Sequence, residues 1–448
     1  MTRANQMQLR GIRPDMRHLV ALASLVAALV GAADSRPAYA AGETCNGVPA
    51  TMVGTPGGTV TGSEGPDVIV TAGALRVSAL GGDDLICTSG TAHVGTGPAD
   101  VIVDGGPGND LVDRRDDPDP AVLAFVMLSS GHDTFYGGPG ADSVSAGDQD
   151  SDLIQTFGGN DYVDYPSSAH GSDVVDLGDG DDQLYAGTPL AGLDVAGGPG
   201  SDVVEMQLTK GHWALSASDG SLTRNGAPAD HLTGFETWDL VGGRRSRLDF
   251  TGTPHGDELV VTPPSLLTSA EMRGGADSVN LHDSFYKPDS HLIVVNGGSG
   301  TDTLAYTGLV PRRTSIDLNR HRFRASDGAH GTATEFENAW GEGNTVMLRG
   351  NDRANVLSWT GCAGRGTVHG LGGADTIQFQ EYEDSDDAAT ICPRPGLHAY
   401  GDAGDDLLLG GRRSDLLVGG PGRDAGDGGS RRDTCVSVEV RTSCEVRR

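Results

Sequence analysis

The sequence contains few aromatic residues and almost no lysine. Its 448 residues include 9 Tyr, 9 Phe and 4 Trp, and lysine occurs 2 times against 30 arginines. So few aromatic side chains argue against a large globular core, and no segment after residue 40 has the periodicity of a long amphipathic helix. The net charge of −30 excludes nucleic acid as a natural partner, because phosphate binding requires basic patches. A repetitive architecture with cations as partners is the remaining expectation.

Glycine and aspartate are the residues in excess. The chain has 69 glycines, and aspartate accounts for 49 of its 62 acidic residues. The short carboxylate of aspartate reaches backbone donors in turns and hard cations in tight loops. This preference indicates that the carboxylates serve turns or metal ions, and not surface solubility alone.

The first 40 residues predict a cleaved export signal. Four arginines precede an apolar run, residues 19–33, that is too short to span a bilayer comfortably, and Ala38-Tyr39-Ala40 fits a cleavage site. We expect a secreted, extracellular mature chain that begins near Ala41 and has no membrane anchor. A retained anchor is the alternative, and Met7 and Met16 are alternative start sites.

All six cysteines follow this signal, and an even number outside the cell predicts disulfides. Six cysteines allow 15 pairings, and none of their spacings matches a zinc signature. Two bonds of the simplest, sequential pairing would clamp the ends of the chain, and one would close a loop. That pairing joins Cys45 to Cys87, Cys362 to Cys392 and Cys435 to Cys444.

A glycine-rich octapeptide recurs along the chain. It reads GGPGNDLV at 105–112, GGPGADSV at 137–144, GGPGSDVV at 197–204, GGSGTDTL at 297–304 and GDAGDDLL at 401–408. In each copy glycines precede one aspartate, and a short β-prone segment follows it. This pattern predicts a short strand after each glycine turn.

Neighbouring copies of the repeat are nine residues apart. Steps of nine join Asp406 to Asp415, Asp424 and Asp433. A nine-residue unit cannot bury its apolar side alone, so successive units must stack into a solenoid of short parallel strands. Alternate units then share an edge, and a cation would be shared by two aspartates of that edge. The pairs expected to share an edge are Asp406 with Asp424, Asp142 with Asp161, and Asp161 with Asp182.

The copies at 105–112, 137–144 and 197–204 fill the pattern G-G-x-G-x-D-x-U-x, in which U is apolar, and the sequence resembles the RTX, or haemolysin-type calcium-binding repeat, family. The resemblance covers most of residues 45–435 in patches. It implies an all-β fold, a right-handed parallel β-roll or β-helix solenoid with two nonapeptides per coil and calcium ions in rows between the turns. Calcium binds about six to eight oxygens, and glycine lets consecutive carbonyls turn toward one point.

The calcium ligands that the resemblance implies are glycines of the first and fourth motif positions and the aspartate of the sixth. They are Gly105, Gly108, Asp110, Gly137, Gly140, Asp142, Gly159, Asp161, Gly180, Asp182, Gly197, Gly200, Asp202, Gly297, Gly300, Asp302, Gly401, Gly404, Asp406, Gly419, Gly422 and Asp424.

Several segments depart from the motif. Arg413 and Arg431 replace the fourth-position glycine in GGRRSD and GGSRRD, so we expect them to stack on one edge and to pair with Asp415 and Asp433 in place of an ion. The segments GPADVI (97–102), SGHDTF (130–135) and TGFETW (233–238) are also poor matches. The number of ions should therefore be below the number of aspartates.

A longer repeat of about 100 residues is superimposed on the short one, because GGPGSD at 197 recurs as GGSGTD at 297. Residues 205–270 and 305–350 should interrupt the metal-binding pattern without interrupting the fold. We predict a signal peptide at 1–40, an N-terminal repeat array at 41–204, β-helical supra-repeats with spacers at 205–400, and a C-terminal β-roll with a disulfide-containing cap at 401–448.

The sequence contains no G-x-S-x-G, P-loop or zinc-binding histidine pair, so no catalytic residue is predicted. The leading hypothesis is a secreted, non-enzymatic protein that binds calcium and folds on binding it. The alternative is a secreted β-helical enzyme or adhesin that acts on polysaccharide and uses calcium structurally. Its groove would be lined by Trp213, Trp238 and Trp340 and by the arginines at 244, 245 and 247.

Overall fold

The computed structural model describes residues 42–90, 100–117, 119–147, 150–165, 172–189, 192–243, 245–263, 266–283, 291–308, 313–343, 345–360, 365–380 and 396–447. They belong to one compact unit, Ala40–Arg448. Within these ranges no helix is long and apolar enough to cross a membrane. The predicted signal, residues 1–40, lies outside them.

The regular elements are short β-strands. In chain order they are β1 (Thr44–Cys45), β2 (Val48–Pro49), β3 (Met52–Val53), β4 (Thr59–Thr61), β5 (Val68–Val70), β6 (Arg76–Ser78), β7 (Leu85–Cys87), β8 (Val101–Asp104), β9 (Leu111–Asp113), β10 (Ala124–Met127), β11 (Thr134–Tyr136), β12 (Asp142–Ser145), β13 (Leu153–Gln155), β14 (Tyr162–Asp164), β15 (Val174–Asp176), β16 (Gln183–Gly187), β17 (Asp194–Ala196), β18 (Val203–Leu208), β19 (Gly211–Ser216), β20 (Ser221–Arg224), β21 (Ala227–Thr233), β22 (Thr237–Gly242), β23 (Ser246–Thr251), β24 (Glu258–Thr262), β25 (Leu267–Glu271), β26 (Gly274–Gly275), β27 (Ser278–Asp283), β28 (Leu292–Asn296), β29 (Ser299–Gly300), β30 (Thr303–Gly308), β31 (Arg313–Asp317), β32 (Arg322–Ala325), β33 (His330–Thr334), β34 (Asn338–Glu342), β35 (Thr345–Arg349), β36 (Val356–Thr360), β37 (Arg365–Gly372), β38 (Thr376–Gln380), β39 (Leu397–Ala403), β40 (Leu407–Leu409), β41 (Leu416–Val418), β42 (Ala425–Asp427), β43 (Thr434–Val436), β44 (Val440–Thr442) and β45 (Val446–Arg447).

Two long parallel sheets are built as the chain alternates between them. The first sheet begins with β3, β5, β7 and β9, and the second with β4, β6, β8 and β10. Each strand pairs with the strand one coil later, so Leu407 lies opposite Ala425, eighteen residues on. The all-β solenoid of short parallel strands is confirmed, and near the C-terminus each coil holds two nonapeptides, as predicted.

The first sheet contains two antiparallel excursions that the sequence did not predict. In the first, β20 pairs antiparallel with both β19 and β21. In the second, β32 pairs in the same way with β31 and β33. They lie about one supra-repeat apart, and the second sheet continues in parallel past both, from β18 to β22 and from β30 to β34. The spacers therefore enlarge the coil without interrupting the solenoid.

Apolar side chains on alternate strand positions form the core. Three fully buried side chains from successive strands of the second sheet stack on one another: Val163, Leu184 and Val204. Because side chains alternate across a strand, a three-residue strand needs only its central residue to be apolar. This explains why few aromatic residues suffice: each coil adds small aliphatic groups to a narrow, continuous core.

Two of the three predicted disulfides are present. Cys45 is bonded to Cys87, with the Cα atoms 5.4 Å apart, and Cys435 is bonded to Cys444. They lie near the two ends of the solenoid, where exposed strand edges most need a constraint. The third predicted pair, Cys362 with Cys392, lies outside the described residues.

Candidate metal centre

Aspartates at the glycine turns are stacked into ladders that run along the solenoid. In each step the backbone N–H of one aspartate donates to Oδ1 of the aspartate one coil later, as between Asp182 and Asp202, 2.9 Å apart. The side chain thus points along the stacking direction, from its own coil toward the previous one. We call each acidic residue that accepts or makes such a bond a rung.

The first ladder lies where the chain enters strands of the first sheet. Hydrogen bonds of 2.8–2.9 Å join its consecutive rungs. Its rungs are Asp67, Asp84, Asp110, Asp133, Asp152 and Asp173. A shorter ladder near the C-terminus precedes strands of the same sheet and joins Asp415, Asp433 and Glu445.

The second ladder lies where the chain enters strands of the second sheet, and it consists of three runs. Each run ends at a glutamate whose Oε2 accepts the N–H of the last aspartate and whose own N–H donates back to that aspartate's carbonyl oxygen. The runs are Asp142–Asp161–Asp182–Asp202–Glu236, then Asp257–Asp277–Asp302–Glu337, and then Asn355–Asp375–Asp406–Asp424–Glu439.

The second carboxylate oxygen of most rungs is buried and lacks a hydrogen-bond partner among the described residues. A buried, unpaired charge costs several kcal/mol or shifts the pKa of its group. Rows of such atoms therefore indicate that the protein's own groups do not compensate these carboxylates and that a bound cation would. These Oδ2 atoms belong to Asp84, Asp110, Asp133, Asp161, Asp182, Asp202, Asp277, Asp302, Asp375, Asp406, Asp424 and Asp433.

The first-position glycine of each full motif lies directly against this Oδ2 atom. A Cβ at Gly105 would lie 2.8 Å from Oδ2 of Asp110, and one at Gly197 would lie 2.8 Å from Oδ2 of Asp202. Any side chain there would occupy the space beside the carboxylate. The fourth-position glycine has a different role, because a Cβ at Gly422 would collide with the carbonyl oxygen of Gly404 in the previous coil. Glycine thus permits both the open space and the close stacking of coils.

Burial changes the acidity of the ladders. Desolvation raises the pKa of Asp182 and of Asp277 to about 7, and that of Asp133 to about 8. The neighbouring carboxylates on the same ladder raise these pKa values further, whereas the ladder hydrogen bonds lower them. Carboxylates stacked in this way resist ionisation unless a cation lies beside them.

The donor set fits a hard cation that is held largely by backbone. No three His, Cys, Asp or Glu side chains of the described ranges cluster closely enough to hold an ion by themselves. Calcium accepts carbonyl oxygens together with carboxylates, and the glycine turns bring both to each rung. The residues present therefore fit calcium, with carbonyl groups completing the coordination.

The structure places the predicted residues on two edges. Asp110 belongs to the first ladder, and the other seven predicted aspartates belong to the second. As predicted, Asp406 lies on the same edge as Asp424, because its N–H donates to Oδ1 of Asp424 at 3.0 Å. The stacking of Asp142, Asp161 and Asp182 is also confirmed.

Sequence reasoning missed rungs that lack the full glycine pattern. Asp133, in the poor match SGHDTF, and Glu236, in the poor match TGFETW, are both ladder members. The signal that could have found them is the inward-facing apolar residue two positions later, as in Asp133-Thr134-Phe135, where Phe135 is fully buried. Register relative to the core, and not glycine content, determines which acid joins a ladder.

The predicted pairing of Arg431 with Asp433 is wrong. Asp433 lies on the expected edge, but its Oδ2 is buried without a hydrogen-bond partner among the described residues. Arg431 is exposed, and its backbone has a φ of 79°. That conformation, rare for a side-chain-bearing residue, belongs to the turn in which the residue lies, and no ion pair joins it to Asp433 in the described part of the chain.

Comparison with protein families identifies the repeats. The profile of the RTX calcium-binding nonapeptide repeat matches the chain in four copies, at residues 126–151, 171–188 and 400–435. Each matched segment contains rungs of the ladders described above. Comparison with characterised proteins along their whole length gives no significant match.

Proposed function

Because the chain belongs to the RTX calcium-binding nonapeptide repeat family, we propose that it is an exported protein that binds calcium along its aspartate ladders and folds as it does so. The observation that carries this proposal is the row of buried Oδ2 atoms without hydrogen-bond partners. A divalent ion beside each pair of rungs would supply the missing positive charge.

The proposed ligands are the rung carboxylates together with carbonyl oxygens of the glycine turns. Among the residues predicted from sequence, we keep the motif glycines and aspartates of the interior rungs, such as Asp182, Asp202 and Asp406. Asp133, Asp277 and Asp375 have the same buried oxygen, and we add them to the set. Calcium, when bound, neutralises these carboxylates, and the chain's own residues hold them in line through the ladder hydrogen bonds.

We propose that export and folding are linked. Two disulfides and a leader-like first segment suit an extracellular chain, and calcium outside cells is abundant enough for sites with dissociation constants of roughly 10⁻⁴–10⁻³ M. Without ions, each interior rung brings its carboxylate close to the next. We also propose the division of the chain that its sequence predicts: a signal (1–40), an N-terminal array (41–204), supra-repeats (205–400) and a C-terminal roll with its cap (401–448).

A non-enzymatic role is part of the proposal. The alternative, a polysaccharide-active enzyme or adhesin, needs aromatic side chains on a groove. Trp213 and Trp238 have 0% of their surface exposed and belong to the core, and Trp340 donates from Nε1 to Oγ1 of Thr360 at 2.9 Å. The aromatic residues that suggested a groove thus have structural roles, and Arg244 lies outside the described residues.

Calorimetric calcium titration tests the proposal with a matched pair of variants. Asp182→Asn keeps the Oδ1 acceptor of the ladder and removes the charge, so we expect it to lower the number of bound ions. Asp116→Asn makes the same change at an exposed aspartate outside the ladders and should leave that number unchanged. Equal losses in both variants, or no calcium binding by the parent chain, would refute the proposal.

A further inference from the structure

The coil before the second ladder exchanges two residues of the motif. Asp113 pairs with Tyr136 of the next coil, so Arg114 stands in register with Gly137, the first-position glycine. Ala124 pairs with Asp142 and therefore occupies the rung position. This coil thus carries an arginine where a glycine is expected and an alanine where an aspartate is expected.

The exchange changes the partner of Asp142. Elsewhere in the ladder Oδ1 accepts the N–H of the previous rung, but the N–H of Ala124 donates to the carbonyl oxygen of Ala141 at 3.1 Å. Oδ1 of Asp142 forms an ion pair with Nη1 of Arg114, and both side chains are fully buried. Burial lowers the pKa of this guanidinium, whereas the negative charges of Asp117 and Asp161, which also act on it, raise that pKa. Oδ2 of Asp142 accepts the N–H of Gly138 at 3.1 Å. Unlike that of the interior rungs, the Oδ2 atom of Asp142 thus accepts a hydrogen bond, and its Oδ1, which accepts none among the described residues, lies against a positive charge of the chain itself.

The loop after β9 holds the arginine in place. The backbone N–H of Arg114 donates to the carbonyl oxygen of Tyr136 at 2.8 Å, and its carbonyl oxygen accepts the N–H of Asp117 at 2.9 Å. A Cβ at Gly138 would lie 3.7 Å from Cζ of Arg114, so the guanidinium lies against the glycine turn that precedes Asp142. This turn is the place where the motif assigns an ion.

We propose that Arg114 is a built-in cation that replaces calcium at Asp142 and closes the head of the second ladder without metal. The turn Gly137–Gly140 and Asp142, predicted from the sequence as calcium ligands, then bind a guanidinium of the same chain. Alanine at 124 makes this arrangement possible, because an aspartate there would place a second carboxylate in the ladder and require a further positive charge. The inference rests on the proposed function, in which the interior rungs bind calcium, and it differs at Asp142, where the arginine takes the place of the ion.

The first test compares ion numbers by calorimetric titration. Asp142→Asn should leave the number of calcium ions bound per chain unchanged, whereas Asp182→Asn should lower it. A loss of ions in Asp142→Asn equal to that in Asp182→Asn would overturn the assignment of Arg114 while the proposed calcium function survived.

The second test is a double-mutant cycle that does not depend on ion counts. Arg114→Met and Asp142→Asn each leave one buried partner without the other, so each should lower the folded-to-unfolded ratio of this region by roughly a few hundredfold to a few thousandfold. The double variant removes both charges and should lose less than either single variant. Local stability is measured by amide hydrogen exchange of residues 137–145, where the N–H of Gly138 donates to Asp142 and the N–H of Asp142 donates to Asp161.

Additive losses in this cycle would overturn the proposal, because independent sites add. The cycle is measured in saturating calcium, or in plain buffer if the chain binds none. In the second case the proposed function fails, and the coupling between Arg114 and Asp142 still confirms or refutes the built-in cation. A single variant that does not fold is replaced by Arg114→Lys, which keeps the charge and should retain most of the protection.

Discussion

Two stretches of the second ladder have the same backbone hydrogen bonds but differ in whether their buried polar atoms have partners within the chain. At Asp182 one oxygen accepts a ladder N–H and the other is buried without a hydrogen-bond partner among the described residues. At Asn355, two runs later, Oδ1 accepts the N–H of Asn351 at 2.8 Å, and Nδ2 donates to the carbonyl oxygen of Glu337 at 2.6 Å. Under the proposed function the first stretch requires a cation from outside, whereas the second satisfies its polar groups internally.

Glutamate and arginine complete the second stretch. Oε1 of Glu337 pairs with Nη1 of Arg353 at 2.6 Å, and Oε2 accepts the ladder N–H of Asp302. Under the proposed function, this comparison makes the dependence on calcium a property of single rungs and not of the solenoid as a whole. In a repeat protein, stability is roughly a sum of local terms, so the two stretches should respond separately to the same treatment.

Removal of calcium should have the largest effect. An ion at a hundred times its dissociation constant contributes about 2.7 kcal/mol, so a few ions account for as much free energy as the total stability of an ordinary domain, about 5–15 kcal/mol. With a chelator we expect loss of most β-sheet circular dichroism. Hydrogen exchange should show that residues 345–360 lose protection later than residues 192–208. Simultaneous loss in both segments would break the comparison.

The pH should act on the first stretch when calcium is absent. Burial raises the pKa of Asp182 to about 7 and that of Asp202 to about 6, above the value of about 3.9 in an unfolded chain. The folded state therefore binds protons more tightly. The resulting stability is fully present below about pH 4 and is lost as the pH rises through 6 to 7.

The chelated protein should thus retain more β-sheet circular dichroism at pH 5 than at pH 8. With calcium present the trend should reverse in urea unfolding, because protons compete with the ion for the same carboxylates. An equal β-sheet signal at these two pH values in chelator would contradict the burial of the rungs.

A single substitution in the first stretch should change sign with calcium. In calcium, Asp182→Asn removes a ligand and should cost up to about 2.7 kcal/mol, the contribution of one well-saturated ion. In chelator at pH 8 the same change removes a buried charge and should stabilise the chain. The measurements are the urea midpoint of parent and variant in calcium and their β-sheet circular dichroism in chelator. A lower value for the variant under both conditions would show that Asp182 has only a structural role.

The smallest effect is expected at the ion pair of the second stretch. The side chain of Arg353 is 67% exposed, and exposed ion pairs contribute about 0.2–1 kcal/mol. Arg353→Gln should therefore shift the unfolding midpoint only slightly and leave the number of bound calcium ions unchanged by calorimetry. Glu337→Gln is the matched variant, since it retains an acceptor for the ladder N–H. A new calcium site in Arg353→Gln would show that the arginine occupies an ion position here as well.

The sequence allowed the architecture to be predicted because nine-residue spacing leaves few alternatives. The shared edge of Asp406 and Asp424 follows from the eighteen-residue spacing, and the two terminal disulfides are those of the simplest of the 15 possible pairings. Arg114 could not be assigned in this way, since the coil that contains it is lengthened: Val101 pairs with Ala124, twenty-three residues later. Once a coil departs from eighteen residues, only the register of the strands shows which side chain faces which rung.

The glutamates were missed for a related physical reason. A motif defined by glycines describes where backbone can approach backbone, whereas a rung needs only an acceptor at the right distance from an N–H. The longer side chain of Glu236 reaches the N–H of Asp202 across an enlarged coil, and Glu337 does the same for Asp302. Both follow an antiparallel excursion, which the nine-residue pattern does not anticipate.

The glutamates that end the three runs also give the solenoid a mechanical character. At each of them the side chain and the N–H both return to the preceding aspartate, as Glu337 does to Asp302. The row of bonds from N–H to carboxylate is interrupted there, although the strands of the second sheet stay paired. When the molecule is stretched between its two ends, we expect these interruptions to bound separate unfolding events near Glu236 and Glu337. Segments that hold an intact row of carboxylates would then stay folded while their neighbours extend.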